Sequence, residues 1–366
     1  MWLACCVCAA KAGCHRNKAV GASYPLIRND HGRVTESSPV SSPIVVVVGV
    51  GVAGARIAEL LSIDSSFRVG VVDESPLAAA RVARAASAVV LDLNDAMAAD
   101  VVVLAHPAPH ADLAARLLAN GVSVVSLSDD LDDVRALLEL DHRARVNDAT
   151  LVVGAAMAPG LSGLLARHLA EQLHVVDEVH VAMHGTSGPA CARQHHRALG
   201  GTSLGYHDGE WVRRPAGAGR ELCWFPEPVN SYDCYRAEMP DPLLLHRVFA
   251  TAGRLSARMS ATRRDRFTAR LPMLRPPHAE GGLGGLRVEV RGALANGARE
   301  TIIAGVAVRS GFAASVVAAV MTRWVLLDSP QRGVVVMGDE ALPTAAFVAA
   351  VQADGVRIYE FTGVAR

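Results

Sequence analysis

The hydrophobic pattern divides the chain into two textures. Between residues 44 and 154, short apolar runs rich in Val and Ile alternate with alanine- and leucine-rich stretches of helical spacing. The runs predict strands over 44–48, 69–72, 88–91, 100–105, 122–127 and 151–154. The stretches between them predict helices over 55–61, 77–86, 94–99, 111–120 and 132–145, with Ser75 and Pro76 at one start and Gly121 closing another. Strands alternating with short helices imply a doubly wound parallel sheet. A further helix opens in the segment Gly154-Ala155-Ala156-Met157-Ala158-Pro159-Gly160-Leu161-Ser162, and residues 177–183 alternate as a half-buried strand.

From about residue 184 the texture changes. Residues 184–285 are rich in Gly, Pro, His and Arg, and Trp211, Trp224, Phe225, Tyr232 and Tyr235 collect there. Alternation over 286–292 and 301–308 flanks Asn296-Gly297, a strong hairpin signal. Helices over 311–327 and 343–354 and a strand over 356–361 complete the pattern. The expected fold class is α/β: a Rossmann-type doubly wound parallel sheet, a second α+β domain, and a C-terminal segment that returns to the first. The expected divisions are a disordered N-terminal extension over 1–42, a dinucleotide-binding domain over 43–176, a substrate and dimerisation domain over 177–309, and the returning segment over 310–366.

Composition narrows the function. The 366 residues are 51% hydrophobic with a formal net charge of zero, which gives no electrostatic footprint for nucleic acid or an anionic membrane. No uninterrupted apolar run reaches the roughly 20 residues of a spanning helix. Lysine occurs only at Lys11 and Lys18, so a Schiff-base or general-base lysine is excluded from the folded part. Cys5, Cys6, Cys8 and Cys14 crowd the N-terminus, while Cys191, Cys223 and Cys234 lie far downstream, a spacing that does not make a disulfide framework. The CxxC at Cys5 and Cys8, with Cys14-His15 nearby, has the donors for a metal, but the segment reads as an extension. It lacks the positive n-region of a secretory signal, and a cytoplasmic protein is expected.

The strongest chemical motif is Gly49-Val50-Gly51-Val52-Ala53-Gly54 between the first strand and helix, with Asp73 closing the second strand. Gly49 suits a tight turn, Gly51 lets backbone approach a pyrophosphate, and Gly54 lets helix and strand pack closely. The helix N-terminus favours an anion, and Asp73 can accept from a ribose 2′-hydroxyl. The expected cofactor site is therefore Gly49, Gly51, Val52, Ala53, Gly54, Asp73 and His106, with His106 at the end of the fourth strand. Asp73-Glu74 would repel a 2′-phosphate, so NAD is favoured over NADP, although Arg81 or Arg84 could approach.

The sequence resembles the saccharopine dehydrogenase-like (saccharopine reductase) family. The resemblance rests on the glycine fingerprint, the strand followed by His106-Pro107-Ala108-Pro109-His110, the Pro159-Gly160-Leu161-Ser162 stretch, and the late alternation before a small-residue helix. It implies a nicotinamide-binding domain, a homodimer, and oxidation or reduction of C–N bonds in amino acids. Sugar-type oxidoreductases place Glu-Lys-Pro after the fifth strand, where this chain reads Ser126-Leu127-Ser128-Asp129, and homoserine dehydrogenases also rely on lysine.

Hydride transfer also needs a proton shuttle and a substrate clamp. His110, His184 and Asp233 are the catalytic candidates, and Arg193, His196 and Tyr235 the substrate contacts. His110 could instead cap the next helix within a stiff proline loop. Cys191 could act as a nucleophile, and Arg236, Arg263, Arg264 and Arg266 could bind a carboxylate or form a solvated face. No metal site is expected from His184, His195 and His196, because adjacent histidines on a helix point different ways and no carboxylate sits at ligand spacing. The expected function is hydride transfer to or from a C–N or C–O carbon of a small, amino-acid-like carboxylate. The alternative is a non-catalytic dinucleotide-binding regulatory or scaffold protein.

Overall fold

In the computed structural model, which describes residues 42–273, 276–328 and 331–361, every one of the six early apolar runs forms a strand. In order they are β1 (Ile44–Val48), α1 (Val52–Ser62), β2 (Arg68–Val72), α2 (Pro76–Ala86), β3 (Val89–Val90), β4 (Val101–Leu104), α3 (Ala111–Ala119) and β5 (Ser123–Ser126). Then come α4 (Leu131–Leu138), α5 (Asp141–Val146), β6 (Thr150–Val153) and α6 (Leu161–Ala170). The helix expected over 132–145 is thus two, broken at Leu140, whose backbone leaves helical geometry. Residues 1–41, including the N-terminal cysteines and His15, lie outside the described residues.

The second half contributes β7 (Val175–His184), α7 (Pro189–Ala198), β8 (Thr202–His207), β9 (Glu210–Pro215), β10 (Glu221–Trp224), β11 (Ser231–Arg236), α8 (Asp241–Val248), β12 (Arg254–Ser260) and α9 (Arg263–Thr268). The long hairpin of β13 (Leu283–Ala293) and β14 (Arg299–Arg309) follows. After it come α10 (Ser310–Leu327), β15 (Gly333–Val336), α11 (Thr344–Ala353) and β16 (Tyr359–Glu360).

Two sheets result. The first is parallel, with strand order β15-β6-β5-β4-β1-β2-β3. Its seventh strand, β15, was not anticipated from the sequence; Val334 pairs with Leu151 and Val336 with Val153. The second sheet is mixed, with path order β10-β11-β12-β7-β13-β14-β16 and the β8–β9 hairpin branching from β12. The last strand is shorter than the expected 356–361 and joins this second sheet.

Burial explains the pattern. Val45, Val46, Val47, Val102 and Val103 are fully buried, as parallel strands covered on both faces must be. One face meets α3 and α4 through Leu117, Leu118, Val134 and Leu137. The other meets α1, α6 and α10, and that core continues into Val179, Val181, Met183, Leu286 and Val288 on the inner face of the second sheet. Helix α10 is long and apolar enough to cross a membrane by length and composition, yet 78% of it is buried within this core. Its one charged side chain, Arg323, is neutralised by Asp354 at 2.7 Å and donates to the Leu60 carbonyl at 2.9 Å.

Candidate functional site at the carboxyl ends of the parallel strands

The β1–α1 turn is built by three glycines with three different constraints. Gly49 has φ +90°, and a Cβ there would lie 2.5 Å from the His106 backbone nitrogen. A Cβ on Gly54 would lie 1.8 Å from the Gly49 carbonyl oxygen. Gly51 is exposed, and a Cβ on it would meet no described atom within 4 Å. So two glycines close the turn, while the third opens onto free space at the helix end. The first intrahelical bond there runs from the Ala55 N–H to the Gly51 carbonyl at 2.9 Å. The amides before it point out of the helix, where an anion is favoured.

Asp73 staples this turn to the next. Its Oδ2 accepts from the Val50 N–H at 2.8 Å and its Oδ1 from the Ser75 N–H at 2.9 Å. Each oxygen keeps a second lone pair for a ribose hydroxyl. Val52 lies behind the turn, against the positions a Cβ would take on Gly188 and Gly311. Ala53 receives the Ser315 hydroxyl on its carbonyl at 3.0 Å. Val52 and Ala53 therefore anchor the turn to α7 and α10.

His106 and His110 lie at the end of β4, their rings in edge contact at 4.4 Å. His106 is half-buried, and its Nε2 has no partner among the described residues. His110 is fully buried. Its Nε2 lies 2.9 Å from the His106 carbonyl and its Nδ1 2.8 Å from Ser126 Oγ. A carbonyl only accepts, so Nε2 carries the proton and Nδ1 accepts from the serine. Burial, reinforced by His106, lowers His110 to about 4 and keeps it neutral. With no exposure and both ring nitrogens occupied, His110 is a clasp between β4 and β5 rather than a proton shuttle, which corrects the catalytic reading. Nor does its ring cap α3. That task falls to Asp133, whose Oδ1 accepts from the His110 and Ala111 N–H groups at 2.8 and 3.0 Å.

Helix α7 ties the second half of the chain to this edge. Gly188 before it abuts Val52 at the glycine turn, and Gln194 on it donates to Asp130, after β5, at 3.0 Å. On the same face, His195 Nε2 lies 3.5 Å from Cys191 Sγ and 3.6 Å from Asp129 Oδ2. Burial alone lowers this imidazole, but the Cys191 sulfur and the Asp129 carboxylate outweigh it and raise it to about 10. Nearby, Asp241 at the start of α8 is 1% exposed and accepts from Ser162 Oγ at 2.6 Å. Burial pushes it up to about 6; the negative Asp129 adds to that and His195 opposes it. The sequence offered Ser162 in one stretch and Cys191 with His195 in another. Asp129 and Asp241 carried no signal as partners, since only the chain path brings them in.

The remaining candidates are dispersed. His184 stacks on Tyr232 at 3.8 Å and bonds Ser260 Oγ at 2.8 Å, and burial lowers its pKa. Its partners all belong to the second sheet, none to the glycine turn or α7. Asp233 pairs with exposed Arg220 at 2.9 Å. Tyr235 is buried beneath the Arg266 guanidinium, 4.1 Å from its ring centre. As catalytic or substrate residues these three are corrected: His184 is engaged within the second sheet, Asp233 by Arg220 just before β10, and Tyr235 by Arg266 on α9. Arg193 is exposed on α7, and His196 faces the Leu271 carbonyl at 3.0 Å. Arg263 and Arg264 are exposed on α9. Arg236 instead lines a concavity of about 180 Å³ with Arg214, Arg254 and Arg258. Burial, then the neighbouring arginines, lower its pKa.

No family model and no curated protein sequence matches the chain. Among solved structures it is similar to apo saccharopine dehydrogenase (L-glutamate forming) from Saccharomyces cerevisiae, at 13% identity and TM-score 0.67, covering 87% of this chain and 100% of that one. Looser likenesses include GenD2 from gentamicin A biosynthesis, solved with NAD, at 19% identity and TM-score 0.45, covering 90% and 100%. At these identities the likeness establishes the fold: a parallel Rossmann-type sheet joined to a second mixed sheet.

Proposed function

We propose that the chain is an NAD(P)-dependent oxidoreductase, moving hydride between the nicotinamide and a carbon bearing nitrogen or oxygen in a small carboxylate substrate. The observation that carries this reading is the β1–α1 turn: Gly51 open, helix amides unpaired, Asp73 fastened beside them, all at the carboxyl end of a doubly wound sheet. The fold shared with saccharopine dehydrogenase supports the choice of an amino-acid-like substrate. NAD is favoured over NADP because Asp73 and Glu74 stand where a 2′-phosphate would sit, with Arg81 and Arg84 exposed further along α2.

The substrate would bind between the glycine turn and α7. Asp241, held near neutrality by burial, and its donor Ser162 are suited to buffer the proton that accompanies hydride. Calorimetric titration of the full chain with NAD and NADP tests the reading. Micromolar NAD binding, weaker NADP binding and loss of both in Gly51→Val are expected. No binding of either cofactor by the folded wild-type protein overturns it.

The same reading makes the protein a cytoplasmic homodimer. The edge strand β10 exposes Leu222 (54%) and Trp224 (58%), which a second copy would cover. Sedimentation of the wild type against Trp224→Arg checks this; an unchanged mass removes β10 as the interface.

A further inference from the structure

We infer that Cys191, His195 and Asp129 form a binding site for a single divalent cation of borderline softness, of the zinc class. Three observations converge. Cys191 and His195 are one turn apart on α7, so their side chains project to the same side. Asp129, from the loop after β5, reaches the same point, and the three donor atoms all lie within 4.8 Å of one another. Two of the edges, 3.5 Å from sulfur to nitrogen and 3.6 Å from nitrogen to oxygen, suit a tetrahedron. With metal–nitrogen near 2.0 Å and metal–sulfur near 2.3 Å, such edges come to about 3.5 Å.

Thiolate, imidazole and carboxylate together favour zinc over magnesium or calcium, which prefer all-oxygen sites. Three protein ligands leave a fourth position for water or substrate, the arrangement of catalytic rather than structural zinc. The surroundings supply a second layer. His195 Nδ1 and Asp241 Oδ2 are both buried without a partner among the described residues, and their charges act on each other. A bridging water would complete a carboxylate–histidine–metal chain. Asp130, next to Asp129, is held by Gln194 from α7. The site stands independently of the dinucleotide reading. Combined with that reading, the open position would hold and polarise the substrate's carbonyl or hydroxyl oxygen beside the nicotinamide.

The test uses the full chain, stripped with chelator and titrated with Co²⁺ as the probe. One equivalent should bind with a thiolate-to-cobalt charge-transfer band in the near ultraviolet. Cys191→Ser should abolish the band, and Asp129→Asn, which preserves shape, should weaken binding by about tenfold or more. Circular dichroism confirms that each variant is folded. A triple Cys5→Ser, Cys8→Ser, Cys14→Ser variant should retain the band, and so should Cys223→Ser. Absence of the band in the wild type overturns the site, as does its persistence in Cys191→Ser or its loss with the N-terminal cysteines. Because the readout is metal binding, failure here leaves the dinucleotide reading untouched, and failure of that reading leaves this one standing.

Discussion

The two sheets handle charge in opposite ways. Along the parallel sheet the strands carry no ionic side chain beyond Arg68 at a strand start, and the valines of the inner strands are buried, those of the edge strand β3 being exposed. Apart from Ser123 and Thr150 at strand starts, the polar groups collect at its carboxyl ends and on α7 and α8, where several remain without partners among the described residues: His106 Nε2, Ser128 Oγ, His195 Nδ1 and Asp241 Oδ2. The second sheet keeps its charges on the strands and pairs several of them internally, although Arg214, Arg236 and Arg254 gather around one concavity without an ion pair among the described residues. Glu289, its side chain 7% exposed, is gripped by Arg287 and Arg291. Glu178 bonds His180 at 2.9 Å and Arg291 at 3.2 Å. The difference separates framework from function. Buried polar atoms already satisfied by neighbours hold a sheet together, whereas unsatisfied ones mark where a ligand, water or ion is expected.

The comparison can be tested from its largest expected effect downward. Gly54→Ala should cost about 3 kcal/mol or more in urea unfolding, since the added methyl overlaps backbone that cannot move aside. A cost below about 1 kcal/mol would mean that α1 and β1 are not packed as described. On the other sheet, Glu289→Ala leaves two arginines facing each other and should cost about 2–3 kcal/mol, discounted because Arg291 is partly exposed. Arg287 and the bonds from both arginines hold the Glu289 carboxyl below its ordinary range despite burial. The stability it contributes is therefore present at neutral pH and lost only as pH falls below the usual carboxylate range. A variant as stable as the wild type at pH 7 would show the network to be ornamental.

The pH dependence at the strand ends should have two opposed components. His110 is lowered from 6.5 to about 4, so its contribution is complete above 6.5 and erodes as pH falls towards 4. Asp241 is raised from 3.8 to about 6, so its contribution is present in acid and is lost as pH rises towards 6. Asp241→Asn removes the second component. Stability of that variant should then rise more steeply than that of the wild type between about pH 4 and 6. Parallel curves for the two proteins would remove the buried acid from the account. Smallest of all, Gly51→Val should change stability by less than about 0.5 kcal/mol, because its side chain enters open space. It should nevertheless abolish dinucleotide binding. A destabilised Gly51→Val would place Gly51 with Gly54 in the framework.

The glycine turn was legible because it is local: strand, turn, helix and Asp73 lie within one βαβ unit, and each residue type answers a backbone constraint there. His110 shows where such reading stops. Its place in a proline loop at a strand end suggests catalysis, but its burial against Ser126 follows from β4 and β5 being neighbours. His184, Asp233 and Tyr235 also looked chemical, and each proved to be engaged by a neighbour from another segment: His184 by Tyr232 and Ser260, Asp233 by Arg220, and Tyr235 by Arg266.

The sequence by itself determined the parallel sheet's six early strands, most of the helices between them and the glycine turn, because hydrophobic periodicity and glycine stereochemistry act over a few residues; the stretch over 94–99 makes only a 3-10 turn, Asp95–Ala98. Only the tertiary structure decided that β15 completes that sheet beside β6, that Ser162 meets Asp241 from 79 positions away, and that Cys191 and His195 face Asp129. Those meetings depend on the path of the whole chain, which sets side chains from distant segments at one point and leaves no periodic trace in any one of them.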